Sequence, residues 1–396
     1  MLYLDMALGS SHGWGVVGKN LARELARLEP VRVISEPLQV GAIGDVLEFH
    51  ELKGLMLSEA EAARFQAANG VRVADGPLLQ GIGDEKLMPR RGHLRGVPTI
   101  GHSVFERNLL QPAWVENGRR HFDRIAAGST WCSSVLAEAG LPDVATVVQG
   151  IDPTVFYPSA NGAARRQFLA DNFVVFSGGK FEFRKGQDVV IRAYKALQDR
   201  HGDVMLVNAW RNPWPGSFLT MHSSPLINFT PGRGTCEEVI NQVLADNGID
   251  LRRVITCPQM LNFTLPRLYW NTDVGIFPNR CEGGTNLVLM EYMACGKPVV
   301  ALSTTGHADI VNSTNALMIE TRGETTLRDP NHVPVARWPE PDSDDAVDKL
   351  EWAYQNREKM RELGRQAGAD LAERTWRKTA QAFRKIIQEA SDACNH

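Results

Sequence analysis

Two stretches of this sequence set charged side chains beside paired glycines, and chemistry on an anionic ligand would be sought there first. One is Asn279-Arg280-Cys281-Glu282-Gly283-Gly284-Thr285-Asn286, which runs into Leu287-Val288-Leu289-Met290-Glu291 and then Tyr292-Met293-Ala294-Cys295-Gly296-Lys297-Pro298. A strand ends, an acid and two glycines follow, and a helix begins. The first amides of a helix lack partners within it, and the helix dipole adds partial positive charge at that end. Glycines let a ligand approach such a backbone closely. A diphosphate is the natural guest, held by Gly284, Thr285, Asn286 and Leu287. Glu282 lies outside the helix start and could face a sugar. Glu291 lies inside it and is placed to accept hydrogen bonds from ribose hydroxyls. Taken alone, the two glutamates read as a solvated loop acid and an ordinary helix carboxylate; the Gly-Gly-Thr-Asn and Ala-Cys-Gly-Lys-Pro surroundings favour the site.

The other stretch is Ser177-Gly178-Gly179-Lys180-Phe181-Glu182-Phe183-Arg184-Lys185-Gly186, again after a strand. Its three cations could neutralise charge building on a diphosphate leaving group. The GxxxxGK[ST] spacing of a Walker loop is absent. A solvated basic loop is the plain alternative.

A third motif belongs to another enzyme class. Gly13-Trp14-Gly15-Val16-Val17-Gly18 is a literal GxGxxG after a strand and opening a helix, and Glu36 ends the next strand 18 residues on. That is close to where a dinucleotide fold places its ribose-binding acid, so an NAD(P)-dependent oxidoreductase is the rival reading. Gly9–His12 separate strand from motif, however, and nothing in the second half suggests hydride transfer. The preferred role for Gly13 and Gly15 is a glycine-rich loop that contacts donor phosphate or acceptor.

These residues need scaffolding, and the chain supplies it as alternating strands and helices. Strands are expected at Leu2–Leu8, Val31–Ser35, Val97–Ile100 and Ile125–Ala127. Apolar Val17, Leu21, Leu25 and Leu28 recur at helical spacing between the first two. Ser58 with Glu61 forms a capping-box pattern, and Gly70 stops that helix. Turn-forming clusters from Gly150 to Pro158 and through Ser159-Ala160-Asn161-Gly162 mark a linker. A second alternating half follows: strands at Phe173–Phe176, Val204–Val207, Val274–Phe277 and Val299–Leu302, helices at Gln187–Gln198 and Leu287–Ala294. Residues 209–235 read as an insertion or long loop, and charged helices span 343–368 and 374–391. The alternation predicts an α/β chain of parallel sheets covered by helices. Its division is 1–155, 156–372 and a final helix, 373–396.

Bulk properties narrow the field. The chain has 396 residues, enough for two domains, with 43% hydrophobic and 22% charged residues. A net charge of −3 argues against broad nucleic-acid binding, so an anion must be held locally. No apolar run approaches the roughly 20 residues needed to span a bilayer. The N-terminus lacks a signal-peptide pattern, and the six scattered cysteines suit buried thiols in a reducing cytoplasm. Lys86, Arg90, Arg91 and Arg95, with Arg119, Arg120 and Arg124, could touch an anionic membrane face or an acidic acceptor, or form a solvated surface. Asp342-Ser343-Asp344 imitates a metal-binding DxD but precedes a helix and reads as an N-cap, so no metal is expected.

Together the two charged stretches resemble the retaining glycosyltransferases of family four, the "group 1" transferases of GT-B fold. The resemblance implies two Rossmann-like domains facing each other across a cleft. The family's phosphate-binding arginine and lysine fall on Lys180 and Lys185, and its paired glutamates on Glu282 and Glu291. Lys180 keeps the charge but not the bidentate fork. Eight residues separate the glutamates where the family has seven. Pro98-Thr99-Ile100-Gly101-His102 fits the family's histidine near the cleft, implying that His102 contacts the donor sugar. Gly150-Ile151-Asp152 through Phe156-Tyr157-Pro158 matches its inter-domain segment, and Arg374-Thr375-Trp376 the start of its returning helix. The implied activity is transfer of a sugar, with retention, from a UDP- or GDP-linked donor to a saccharide, lipid or small-molecule hydroxyl. No cofactor or metal is implied. Base, sugar, acceptor and oligomeric state stay open, as do a GT-B epimerase and a non-catalytic nucleotide-sugar binder.

Overall fold

The computed structural model describes residues 1–65, 71–159, 165–212, 214–329 and 331–394. Gly70, and Ala160 to Gly162 of the expected linker, lie outside them. The chain divides into two compact units. The first comprises Met1–Gly150, Gly283–Thr285 and Arg374–His396, the second Ile151–Glu282 and Asn286–Glu373.

The first unit is built on strands β1 (Leu2–Asp5), β2 (Val31–Val33), β3 (Arg72–Val73), β4 (Leu78–Gly81), β5 (Leu94–Arg95), β6 (Thr99–Ser103), β7 (Arg124–Ala127) and β8 (Val144–Thr146). Six of them form one parallel sheet in the order β2-β1-β4-β6-β7-β8; β3 and β5 pair separately. Its helices include Gly13–Ala26, Val46–Leu55, Pro112–His121 and Thr130–Glu138, and Trp376–Cys394 packs on Gly13–Ala26. Ser58 and Glu61 form the capping box reciprocally. The first strand ends at Asp5 rather than Leu8, and the strand expected at Val97–Ile100 is shifted to β6. Leu78–Gly81, not anticipated, is buried throughout and sits between β1 and β6.

The second unit has β9 (Phe173–Lys180), β10 (Val204–Arg211), β11 (Val254–Thr256), β12 (Val274–Phe277), β13 (Val299–Leu302) and β14 (Leu317–Ile319). They form a parallel sheet in the order β11-β10-β9-β12-β13-β14. Strand order reverses between β9 and β12. In open parallel sheets the crevice beyond the strand ends at such a reversal is where ligands bind. Val174, Val175, Phe176, Val274, Ile276, Val299, Val300 and Ala301 are all 1% exposed or less, as strands covered on both faces require. Helices Gln187–Arg200, Cys236–Asp246, Leu287–Ala294, Ser343–Gln355 and Arg357–Ala372 flank the sheet. Asn356 interrupts the helix expected over 343–368.

Two differences matter for the site. Strand β9 continues past Phe176 to Lys180, because β10 pairs with all eight of its residues up to Arg211 opposite Lys180. Lys180 is therefore the last residue of a strand, and Ala209–Arg211 belong to a strand rather than an insertion. A hairpin, β15 (Thr321–Arg328) and β16 (Pro334–Pro341), was not signalled by the sequence reading.

Candidate active site

In the second unit the turn after β9 and the loop after β12 meet at the strand-order reversal. Phe183–Lys185 form one 3-10 turn, closed by Gly186 at φ +72°. A Cβ on Gly186 would lie 2.2 Å from the Pro278 carbonyl oxygen, so this backbone crossing needs glycine. Two arginines then lock the loops reciprocally. Arg184 Nη1 donates to the Cys281 carbonyl at 2.8 Å, and Arg280 Nη1 donates to the Phe183 carbonyl at 2.7 Å. The Arg280 guanidinium also stacks on the Phe183 ring at 3.7 Å.

The reactive side chains form one charged cluster. Lys185 Nζ and Asn279 Nδ2 both donate to Glu282 Oε1 at 2.5 Å, and Arg184 Nη1 reaches Glu282 Oε2 at 3.1 Å. Arg184 Nη2 also donates to Glu182 Oε1 at 2.5 Å. Lys180 stands at the rim, 3.5 Å from Glu182 and 4.9 Å above the Trp214 ring. Glu282 and Lys185 are buried. Burial alone would raise the Glu282 carboxyl, but Lys185 and Arg184 hold it at about 2. Burial pushes the Lys185 ammonium down, and Glu282 opposes that shift. Three cations against two carboxylates leave one positive charge, with Lys180 the most exposed of the five groups.

The helix Leu287–Ala294 begins beside this cluster. Asn286 caps it from the left-handed region at φ +60°, its side chain accepting from Leu289 N. Leu287 opens the first turn. Glu291 is buried four residues further on, with Asn262 Nδ2 donating to its Oε1 at 2.5 Å.

In the first unit, Thr285 is buried and its amide and hydroxyl both point at Gln149 Oε1, at 3.2 and 3.3 Å. Gly284 abuts the same oxygen, where a Cβ would come within 2.8 Å. His102, on β6, is 1% exposed and lies edge-on between Trp14 and Phe383 at ring distances of 5.7 and 5.3 Å. Its Nδ1 donates to the Ala126 carbonyl at 2.9 Å, which leaves Nε2 as an acceptor, buried without a partner. Burial holds the ring neutral, with a pKa of about 4.

The GxGxxG motif opens a helix, as expected. Gly13 and Gly15 are inside the first turn of a helix, and that turn's amide is already used: Gly15 N donates to His12 Nδ1 at 3.1 Å. A Cβ on Gly15 would lie 2.9 Å from Gly9 N, and one on Gly18 would lie 2.0 Å from the Ala7 carbonyl oxygen. These two glycines let residues 7–9 pack against the helix; Gly13 faces open space. Glu36, the would-be ribose acid, pairs with Arg91, which also binds buried Asp5. Three of the basic residues considered for a membrane are similarly engaged: Arg124 with Asp143 and Glu389, Arg119 with the Gly140 carbonyl, Arg95 with His121.

Sequence reasoning missed Arg184 as a clamp, Arg280, Asn262 and the loop after β13. Only the last had a usable signal: a loop following a buried parallel strand sits at the ligand-binding edge of the sheet. Asp342 caps its helix, accepting from Asp344 N and Asp345 N, as the DxD reading supposed. All six cysteines are unbridged thiols.

Comparison with known proteins bears on this geometry. The family model described as Glycosyl transferases group 1 matches residues 171–329, which hold both loops, the charged cluster and the helix Leu287–Ala294. This chain carries a group 1 glycosyl transferase domain. A D-inositol 3-phosphate glycosyltransferase of Paenarthrobacter aurescens is 24% identical over 254 residues, 64% of this chain and 53% of that protein. One from Mycobacteroides abscessus is 31% identical over 160 residues, 40% and 31% respectively. The chain thus spans about half, or less, of the length of the curated relatives it matches.

The fold extends beyond the matched domain. A sucrose-phosphate synthase from Thermosynechococcus elongatus superposes with a TM-score of 0.66 at 14% identity, covering 99% of both chains. Anabaena HepE, solved with UDP-glucose, gives 0.64 at 14% identity over 100% of this chain and 99% of that one. The group 1 domain and the N-terminal unit are therefore the two Rossmann-like domains of a GT-B fold. No helix among the described residues is long and apolar enough to cross a membrane.

Proposed function

We propose that this chain is a retaining glycosyltransferase that moves a sugar from a UDP- or GDP-linked donor to an acceptor hydroxyl on a saccharide, lipid or small molecule. One observation carries the reading. A buried lysine, Lys185, is paired with a buried carboxylate, Glu282, at the strand-order reversal of a group 1 domain, beside the start of the helix Leu287–Ala294. Buried, strongly perturbed charged groups cluster at functional sites.

The donor diphosphate rests on the amides of Asn286 and Leu287 at the helix start and draws Lys180 and Lys185 onto its oxygens. Glu291 holds the ribose. As the glycosidic bond breaks, positive charge grows on the sugar and negative charge on the departing phosphate. The lysines and the helix dipole stabilise the latter, so the reaction needs neither metal nor cofactor. The acceptor hydroxyl enters on the leaving-group face and gives its proton to the phosphate. Glu282, released in part by Lys185, orients the sugar hydroxyls. Six unbridged thiols suit a cytoplasmic setting.

A nucleotide panel tests the reading. UDP or GDP should raise the melting temperature while NAD and NADP leave it unchanged, and mass spectrometry should find a glycosylated product. Stabilisation by NAD(P) alone would favour the oxidoreductase instead.

A further inference from the structure

The loop that follows β13 touches the proposed donor site from behind, and it does so with residues to which no role has been given. Thr305–Asp309 form a 3-10 turn after Leu302. Glu282 N donates to Thr305 Oγ1 at 3.0 Å, and Gly306 N donates to the Glu282 carbonyl at 2.9 Å. The backbone of the candidate catalytic glutamate is thus gripped on both sides.

The next residue sets the helix cap. His307 is wholly buried. Its Nδ1 lies 3.0 Å from the Leu302 carbonyl, which can only accept, so the proton is on Nδ1. Nε2 is then an acceptor, and the Asn286 Nδ2 group 3.1 Å away must donate to it. That fixes the Asn286 amide with its oxygen toward Leu289 N at the start of the helix. Burial keeps the ring neutral, with a pKa of about 4, so this tautomer persists at neutral pH.

Two non-glycine residues of this small region are strained. Asn286 has φ +60° and Thr305 φ +51°. Such backbone is costly and persists only where its surroundings over-determine it. The strained pair brackets the glutamate and the helix start.

We infer that Thr305 and His307 are positioning residues of the donor site: Thr305 and Gly306 fix the Glu282 backbone, while His307 fixes Asn286 and with it the amides that receive the diphosphate. The inference rests on the proposed transferase reading.

Paired substitutions separate this role from mere stability. His307→Gln can still offer an acceptor where Nε2 stood, whereas His307→Asn keeps only the donor toward Leu302. Thr305→Ser keeps the hydroxyl, and Thr305→Ala removes it. Turnover of UDP-glucose, UDP-N-acetylglucosamine and GDP-mannose is measured beside amide hydrogen exchange of peptides covering residues 282–291. His307→Asn and Thr305→Ala should lower kcat about tenfold or more with KM for the donor changed less. Both should exchange faster over 282–291, and the Gln and Ser variants should stay within about threefold of the unaltered protein in both readouts. Folded Asn and Ala variants with unaltered kcat and exchange would overturn the inference, as would equal losses in the Gln and Asn variants. If the unaltered protein turns over none of the three donors, the transferase reading fails instead, and the exchange data still decide whether His307 and Thr305 hold this loop.

Discussion

Arg280 and Asp188, both inaccessible to solvent, form a two-pronged ion pair with both N···O distances at 2.8 Å. Glu340 of the β15–β16 hairpin takes the other edge of the same guanidinium at 2.8 and 2.6 Å. Arg280 stands two residues before Glu282, and Asp188 three after Lys185, so this pair braces the backbone from which both reactive groups emerge. Arg280→Met should cost about 3–5 kcal/mol in urea unfolding, because it strands the Asp188 carboxylate. Adding Asp188→Asn should recover part of that loss. A single variant within 1 kcal/mol of the unaltered protein would show that the pair is dispensable.

Lys185→Ala should reduce turnover by at least about tenfold, roughly 1.4 kcal/mol of barrier. The same change leaves Glu282 to Arg184 and Asn279, so its carboxyl should titrate above its present value of about 2. Steady-state kinetics on a purified, folded variant checks the first point. An unimpaired variant refutes the assigned role.

The glycines of the GxGxxG motif should separate by packing rather than by phosphate contact. Gly18→Ala forces a Cβ to within 2.0 Å of a backbone oxygen and should destabilise by about 1–3 kcal/mol. Gly13→Ala meets nothing within 4 Å and should be neutral or slightly stabilising in thermal melts. Were this motif a phosphate loop, Gly13→Ala would instead weaken nucleotide binding.

Acid should weaken the fold before it titrates the carboxylates of the site. His102 and His307 have folded values of about 4 against about 6.5 in an unfolded chain. Between those values the unfolded chain binds protons that the folded protein refuses, so stability falls as pH drops from about 6.5 to about 4. The two rings together set a loss of several kcal/mol, and His102→Gln with His307→Gln should flatten the profile. Glu282 acts in a lower window: its depressed value contributes stability present above the usual carboxylate range and lost as pH falls toward about 2. Denaturant melts at pH 7 and 5 would expose the error if the unaltered protein and the double variant lost stability equally.

How much of this was legible beforehand follows from the range of the interactions. Val274–Phe277, Leu287–Ala294 and Val299–Leu302 were read to the residue, since apolar runs, a cap and a glycine stop are local signals. The Lys180–Lys185 and Glu282–Glu291 stretches stood out for the same reason: glycine and charge on adjacent positions. The end of β9 was misjudged at Phe176, because only its partner β10 decides how far a glycine-bearing strand continues. The packing of Gly15 and Gly18 against Gly9 and Ala7 was hidden for the same reason, since no window of sequence displays it.

Two parallel-sheet halves and a pair of charged, glycine-flanked loops at strand ends are written locally in the chain, because backbone propensity and side-chain period are properties of neighbouring residues. Only the tertiary structure decided that Lys185 faces Glu282, that Arg280 is spent on Asp188 and Glu340, and that His307 sets the orientation of Asn286. Those partners lie 21 to 97 residues apart, and a buried charge or amide takes whatever counterpart the fold brings within hydrogen-bond reach.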